Sequence, residues 1–153
     1  IVGGYVRDFF LSINSKDIDI EVYHATSYED LKKILCTFGD PNIVGKSFGV
    51  CKLNYHSLDL DFSFPRKESK ISKGHKGFKV TIEDSLDFKD ASKRRDFTIN
   101  SIGYDTKEKK LLDPHGGLKD IHNKTLRATD IKKFGEDPLR YLRAIRFASQ
   151  LDF

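Results

Sequence analysis

The chain has 153 residues, a net charge of +4, 38% hydrophobic and 33% charged residues. That is enough for one domain with a core, too short for a multidomain enzyme and too apolar for a disordered tail. No apolar run approaches the roughly 18 residues of a membrane span, no stretch is patterned as a secretory leader, and Cys36 and Cys51 lack metal-ligand spacing, so they read as thiols of a reducing, cytoplasmic setting.

In chain order, Ile1-Val2 reads as the end of a strand and Gly3-Gly4 as a turn into a helix over Tyr5–Leu11. Asp17–Val22 alternates as a strand. Tyr28–Phe38 has helical spacing, with Leu31, Ile34, Leu35 and Phe38 on one face, and Gly39-Asp40-Pro41 ends it. Strands are predicted over Val50–Tyr55 and Leu58–Phe64. A basic loop follows, with Arg66, Lys67, Lys70, Lys73, Lys76 and Lys79 against one acid, Glu68. Such clustering is either a solvated loop or a surface for a polyanion.

Phe78–Ile82 reads as a further strand and Leu86–Lys93 as a helix. Ile99–Tyr104 and Lys110–Leu112 read as a hairpin, and Asp113–Gly117 as a loop. The last helix is predicted over Glu136–Gln150, with acids at its start and Pro138 in its first turn. The fold class is α+β: a small mixed sheet with flanking helices over residues 1–112, then the first helix or two of a helical segment over 113–153. The chain begins on the sheet and stops after a long helix, as expected for a piece of a longer protein.

The chemistry starts at Asp17-Ile18-Asp19-Ile20-Glu21-Val22. Residues i and i+2 of a strand share a face, so Asp17 and Asp19 point together, with Glu21 following by the same rule, while Ile18, Ile20 and Val22 turn to the core. Two such carboxylates repel unless a cation sits between them, and hard oxygen donors suit Mg²⁺. The alternating Leu58-Asp59-Leu60-Asp61-Phe62 offers a second pair. Beside the first strand, one of its acids completes a three-carboxylate site for two-metal phosphoryl transfer.

Gly3 and Gly4 stand where a strand meets a helix, a place where backbone approaches an anion closely. Arg7, one turn on, has the reach to pair with a triphosphate. In Glu136-Asp137-Pro138-Leu139-Arg140-Tyr141-Leu142-Arg143-Ala144-Ile145-Arg146, helical spacing puts Asp137, Arg140 and Arg143 on one stripe with Arg146 at its edge, and Leu139, Leu142 and Ile145 on an adjacent packed face. A carboxylate accepts only and a guanidinium donates only. Asp137 with Arg140 therefore matches the amino group and ring acceptor of cytosine or adenine, and mismatches guanine and uracil. In Lys93-Arg94-Arg95-Asp96-Phe97, Arg95 suits phosphate or base and Asp96 suits a ribose hydroxyl. Each of these motifs alone also reads as ordinary surface or capping chemistry.

Ile1-Val2-Gly3-Gly4 matches the mature N-terminus of trypsin-like proteases, but two cysteines and no Gly-rich serine segment exclude that fold. Together, GGYVRDFFL (3–11), KDIDIEV (16–22), VGKSFGV (44–50), LDLDFSFPRKE (58–68), GHKGF (74–78), RRDFTINSIGYD (94–105), LLDPHGGLKDI (111–121) and EDPLRYLRAIRFA (136–148) resemble the class II tRNA nucleotidyltransferases and bacterial poly(A) polymerases of the DNA polymerase beta superfamily.

The resemblance implies a nucleotidyltransferase head over 1–112, then a hinge at Asp113–Gly117 and the start of a helical neck within 113–153. It implies Asp17 and Asp19 as metal ligands and catalytic acids. Asp61 is the third, with Asp59 as its alternative. It further implies Gly3, Gly4 and Arg7 at the triphosphate, Arg95 and Asp96 at ribose and phosphate, Asp137 and Arg140 as the base-selecting pair, and Arg143 and Arg146 as further nucleotide contacts. The expected activity is Mg²⁺-dependent transfer of CMP and AMP from CTP and ATP to a tRNA or other RNA 3′ end. A poly(A) polymerase, a CC-only or A-only adding enzyme, and an inert RNA-binding module are the alternatives. No membrane partner is expected, and the sequence is silent on oligomeric state.

Overall fold

The computed structural model describes residues 1–25, 27–45, 49–70, 78–82 and 85–153, with backbone alone at 67–70 and 78–82. Helix α1 (Gly4–Phe10) leads into strand β1 (Asp17–Glu21) and helix α2 (Tyr28–Leu35). Strands β2 (Asn42–Val44), β3 (Val50–Tyr55) and β4 (Leu58–Ser63) follow, then β5 (Arg66–Lys70) and β6 (Phe78–Ile82). After helix α3 (Phe88–Ser92) and a 3-10 turn at Thr98–Asn100 come β7 (Gly103–Asp105), β8 (Lys110–Leu112) and helices α4 (Gly117–His122), α5 (Ile131–Phe134) and α6 (Leu139–Leu151). The α+β class and the mixed sheet with flanking helices are as expected from the sequence. Among the described residues no helix is long and apolar enough to cross a membrane.

The main sheet runs β1-β4-β3-β2. β1 pairs parallel with β4, in register Asp17 to Asp59 and Asp19 to Asp61, and the other neighbours are antiparallel. On the far side of β1, Val2 bridges to Asp19 and to Gly103, so the β7–β8 hairpin joins the same layer. Among the described residues two apolar cores flank the sheet. One gathers Leu31, Leu35, Cys51, Leu53 and Phe64. The other gathers Val6, Phe97, Ile99, Ile102, Ile121, Phe134, Phe147 and Leu151, and so packs both sides of the anticipated 112/113 boundary on one core. Each fully buried side chain of this size contributes about 1.5–3 kcal/mol.

Several sequence expectations need correction. The basic stretch from Arg66 is not a loop at its start: residues 66–70 form β5, paired antiparallel with β6. Residues 71–77 and the side chains of 67–70 and 78–82 lie outside the described set, as does the question of what Lys67 to Lys79 face. Leu31 and Leu35 are buried, but Ile34 and Phe38 are exposed. The helix stops at Leu35, and the Phe38 ring packs edge-on against Tyr55 in the turn that follows.

The predicted strand over Ile99–Tyr104 begins as a 3-10 turn. The Ser101 hydroxyl donates to the Phe97 carbonyl and the Asn100 amide to the Asp96 carboxylate, and such local bonds compete with a sheet ladder.

In α6 the packed and open faces are reversed. Arg140, Phe147 and Leu151 form the buried stripe, while Leu139, Leu142 and Ile145 are open, Ile145 at 69% exposure. Residues 140, 147 and 151 repeat at seven and four, the stripe that aims one helix side at the Phe97 core. The helix begins at Leu139 rather than Glu136, with Asp137 accepting from the Leu139 amide.

Two helices escaped the sequence reading because side-chain caps start them. Asp113 accepts from the Gly117 and Leu118 amides, and Asp130 from those of Lys132 and Lys133.

Candidate active site

Alternation along β1 turns Asp17 and Asp19 to one open face while Ile18 is buried beneath. The parallel pairing sets Asp59 and Asp61 of β4 beside them on that face. The next strand contributes Lys52 beside Asp61 and Asn54 beside Asp59. Lys52 Nζ lies 2.5 Å from Asp61 Oδ2, and Asn54 donates to Asp59 at 2.7 Å. A cleft of about 460 Å³ is lined by these six residues with Ile18, Leu53 and Leu60.

The carboxyl of Asp19 is pushed above its ordinary range, first by the surrounding protein and then by the charge of Asp61, while Arg95 opposes the shift. Among the described residues no group of three or more His, Cys, Asp or Glu side chains is gathered closely enough to hold a metal ion. The donor chemistry nevertheless suits a hard cation: aspartates aligned in register, one of which burial and like charge destabilise as an anion.

The glycine bend lies directly against these acids. The Val2 amide donates to the Asp19 carbonyl at 2.9 Å, and the Gly3 amide to the Ile102 carbonyl. Gly3 has φ +75°, where an L side chain is strained. A Cβ there would meet Arg95 Nη1 at 2.5 Å and Asp19 Oδ2 at 3.4 Å. The residue is glycine because a guanidinium occupies the space a side chain would take.

A second, larger cleft of about 930 Å³ adjoins the first and shares Asp17 and Asp19 with it. Its walls include Gly4, Arg7, Arg95, Asp96, Asp137, Arg140, Arg143, Arg146 and Phe147. The structure thus brings together the glycine turn, the first two acids, the Arg-Asp pair and the arginine helix. Asp61 stands in the first cleft, and Gly3 lies beneath the Arg95 guanidinium.

Within this cleft the arginines differ. Arg7 is buried and each of its three guanidinium nitrogens donates: Nε and Nη2 to Asp8 Oδ1, and Nη1 to Asn100 Oδ1 at 2.6 Å. Asp96 is buried and accepts from its neighbour Phe97 N, from Asn100 and, at 2.6 Å, from Arg143 Nε. Arg140 donates through Nη2 to the Arg94 carbonyl at 2.7 Å, and its buried Nη1 has no hydrogen-bond partner among the described residues. Burial and the neighbouring Arg94 draw the Arg95 pKa down, against Glu21, Asp19 and Asp96.

Sequence reasoning passed over three residues here. Phe147 underlies the cluster, with Arg7, Arg143 and Arg146 each packed on its ring at 4.9–5.2 Å. Asn100 joins Arg7 to Asp96. Lys52 engages Asp61. A phenylalanine in an apolar helix stripe and a lysine on a strand look ordinary in sequence, so only their placement shows the role.

The poly A polymerase head domain family model matches residues 1–127. A CCA-adding enzyme of Francisella tularensis subsp. tularensis is 38% identical over 151 residues, 99% of this chain and 39% of that protein. A solved tRNA-processing enzyme with CTP superposes with a TM-score of 0.78 at 33% identity, covering 100% of this chain and 38% of that one. A tRNA nucleotidyltransferase complexed with a primer tRNA and an incoming ATP analog gives a TM-score of 0.77 at 33% identity, covering 100% and 42%. The chain therefore spans about two fifths of the length of the proteins it matches.

Proposed function

Because this chain belongs to the poly A polymerase head domain family, we propose that it is the catalytic head of a nucleotidyltransferase that adds CMP and AMP from CTP and ATP to the 3′ end of tRNA. The observation that carries this is the meeting of two clefts at Asp17 and Asp19, one lined by carboxylates in register with them and the other by arginines. Residues 1–112 act as the head, and 113–153 as the hinge and the beginning of a helical neck.

In this reading the RNA 3′ hydroxyl attacks the α-phosphorus of the nucleotide and pyrophosphate leaves. Asp17, Asp19 and Asp61 would hold Mg²⁺, which when bound stabilises triphosphate charge and lowers the pKa of the attacking hydroxyl. The chain's own part is positioning. Gly3 and Gly4 let the triphosphate approach the backbone, with Arg7 and Arg95 at that end. Asp96 accepts from the ribose.

The Nη1 of Arg140, unpartnered among the described residues, donates to the ring acceptor of C or A while Asp137 accepts a hydrogen bond from the amino group. Arg143 and Arg146, seated on Phe147, complete the nucleotide wall. That a relative is a CCA-adding enzyme, and that solved neighbours hold CTP or a primer tRNA with an ATP analog, supports CTP, ATP and tRNA as the substrates.

The test uses the intact protein containing this chain, Mg²⁺ and tRNA lacking CCA, with each nucleotide alone and in combination. Addition of CC with CTP alone and of CCA with CTP plus ATP is the expected result. A homopolymer from ATP alone identifies a poly(A) polymerase, and a stop after CC or a requirement for CC-ended tRNA identifies a partial adding enzyme. No incorporation, with no Mg²⁺-dependent nucleotide binding by calorimetry, overturns the proposal in favour of an inert module.

A further inference from the structure

Glu21 ends β1, two residues beyond Asp19 and on the same strand face by alternation. Unlike Asp17 and Asp19, it is shut from solvent, its side chain 0% exposed. Two guanidiniums cover it: Arg94 Nη2 lies 3.4 Å from Oε1 and Arg95 Nη2 lies 3.9 Å from Oε2. Among the described residues Oε2 has no hydrogen-bond partner, nor does Arg95 Nε. A buried carboxylate is costly without compensating charge, and so are two adjacent guanidiniums largely covered by protein, their side chains 14% exposed. Glu21 and the two arginines therefore form one electrostatic unit under the floor of the cleft.

The position of Arg95 gives this unit its consequence. Arg95 Nη1 and Asp19 Oδ2 both press on the point where a Gly3 Cβ would stand. The guanidinium thus has two carboxylates of β1 within its field, Asp19 on the open side and Glu21 on the buried side. If Glu21 carried no charge, Asp19 would be the carboxylate of this strand left to attract it. A guanidinium settled on Asp19 would occupy the oxygens that a divalent cation needs.

Resting on the metal assignment above, we propose that Glu21 is a positioning residue whose buried carboxylate holds Arg94 and Arg95 and so keeps Arg95 off the Asp19 carboxylate that binds the cation. Glu21 touches neither nucleotide nor metal. It divides the labour of the strand: one acid for the protein's own cations, two for the bound ion.

The test measures ion binding directly. Mn²⁺ is titrated into the intact protein and the free ion is counted by electron paramagnetic resonance. Glu21→Gln keeps the shape and removes the charge, and Mn²⁺ binding is expected to weaken about tenfold, the effect typical of residues that orient a metal ligand. The KM for CTP should rise with it. Glu21→Gln/Arg95→Gln removes the competitor as well and is expected to bind Mn²⁺ nearly as the wild type does.

A role confined to packing would lower the melting temperature of Glu21→Gln and leave the Mn²⁺ affinity of the folded protein unchanged, which overturns the proposal. Where Glu21→Gln does not fold, the double variant decides: near wild-type binding supports the proposal and weakened binding overturns it. Asp19→Ala, measured alongside, separates the two readings. If it binds Mn²⁺ as well as the wild type, the metal assignment fails as well. If it loses binding while folded Glu21→Gln does not, only the role of Glu21 falls.

Discussion

Arg143 Nε and Asp96 Oδ2 lie 2.6 Å apart, tying the last helix to the Arg-Arg-Asp-Phe segment across 47 residues of sequence. Asp96 is buried and Arg143 is half open to solvent. Charge assistance strengthens the bond and solvent screening limits it. A double-mutant cycle with Asp96→Asn and Arg143→Ala, read by urea denaturation, should give a coupling of about 1 kcal/mol. A coupling near zero would show that the pair is held by its surroundings rather than by attraction.

Asp17 and Asp19 are open residues on a strand whose apolar side is buried elsewhere. Replacing either with alanine in the intact protein should leave the urea midpoint almost unchanged, within about 0.5 kcal/mol. Nucleotide addition should fall by at least about a hundredfold. Near-normal rates in either variant would remove the acids from the reaction.

Arg140→Ala deletes a buried donor with no partner among the described residues and a bond to the Arg94 carbonyl. Competition among the four nucleoside triphosphates should then show CTP and ATP losing their advantage over UTP and GTP. Some stability should go too, about 1–3 kcal/mol. A variant that is less stable but equally selective would assign Arg140 to the scaffold and not to the choice of base.

Gly3→Ala adds a methyl group at φ +75° into space held by Arg95. The backbone strain alone costs about 1–3 kcal/mol. Because the displaced guanidinium faces the cleft, the KM for CTP should rise further than stability alone explains. A denaturation midpoint equal to wild type would show that the bend relaxes without cost.

The strands that carry the acids were legible because period-two alternation is a strong signal and both segments show it. Their adjacency is not written in either segment, because pairing joins residues about forty positions apart, and it is the parallel register of Asp19 with Asp61 that sets them side by side. The arginine helix was legible as a helix but not in its orientation. Arg140 and Phe147 face inward and Leu142 and Ile145 face outward, a reversal that hydrophobicity alone cannot foresee when an arginine turns inward to donate to a backbone carbonyl. The short helices begun by Asp113 and Asp130 hid in turn-like sequence. Glu21 was visible only as a third member of an alternating row, and nothing in its spacing told that it would be covered by two arginines.

The pairing of β1 with β4 also dictates how this segment can vary in length. Removing one residue at the turn end of β4, ahead of Asp59, would send Asp59 and Asp61 through the sheet into the layer that now holds Leu53 and Phe64, and lift apolar side chains into their place. Removing or adding two would restore the parity and merely slide the hairpin. Insertions and deletions in this strand should therefore be tolerated only in even steps, a rule that a library of length variants selected for folding would reveal without any assay of catalysis.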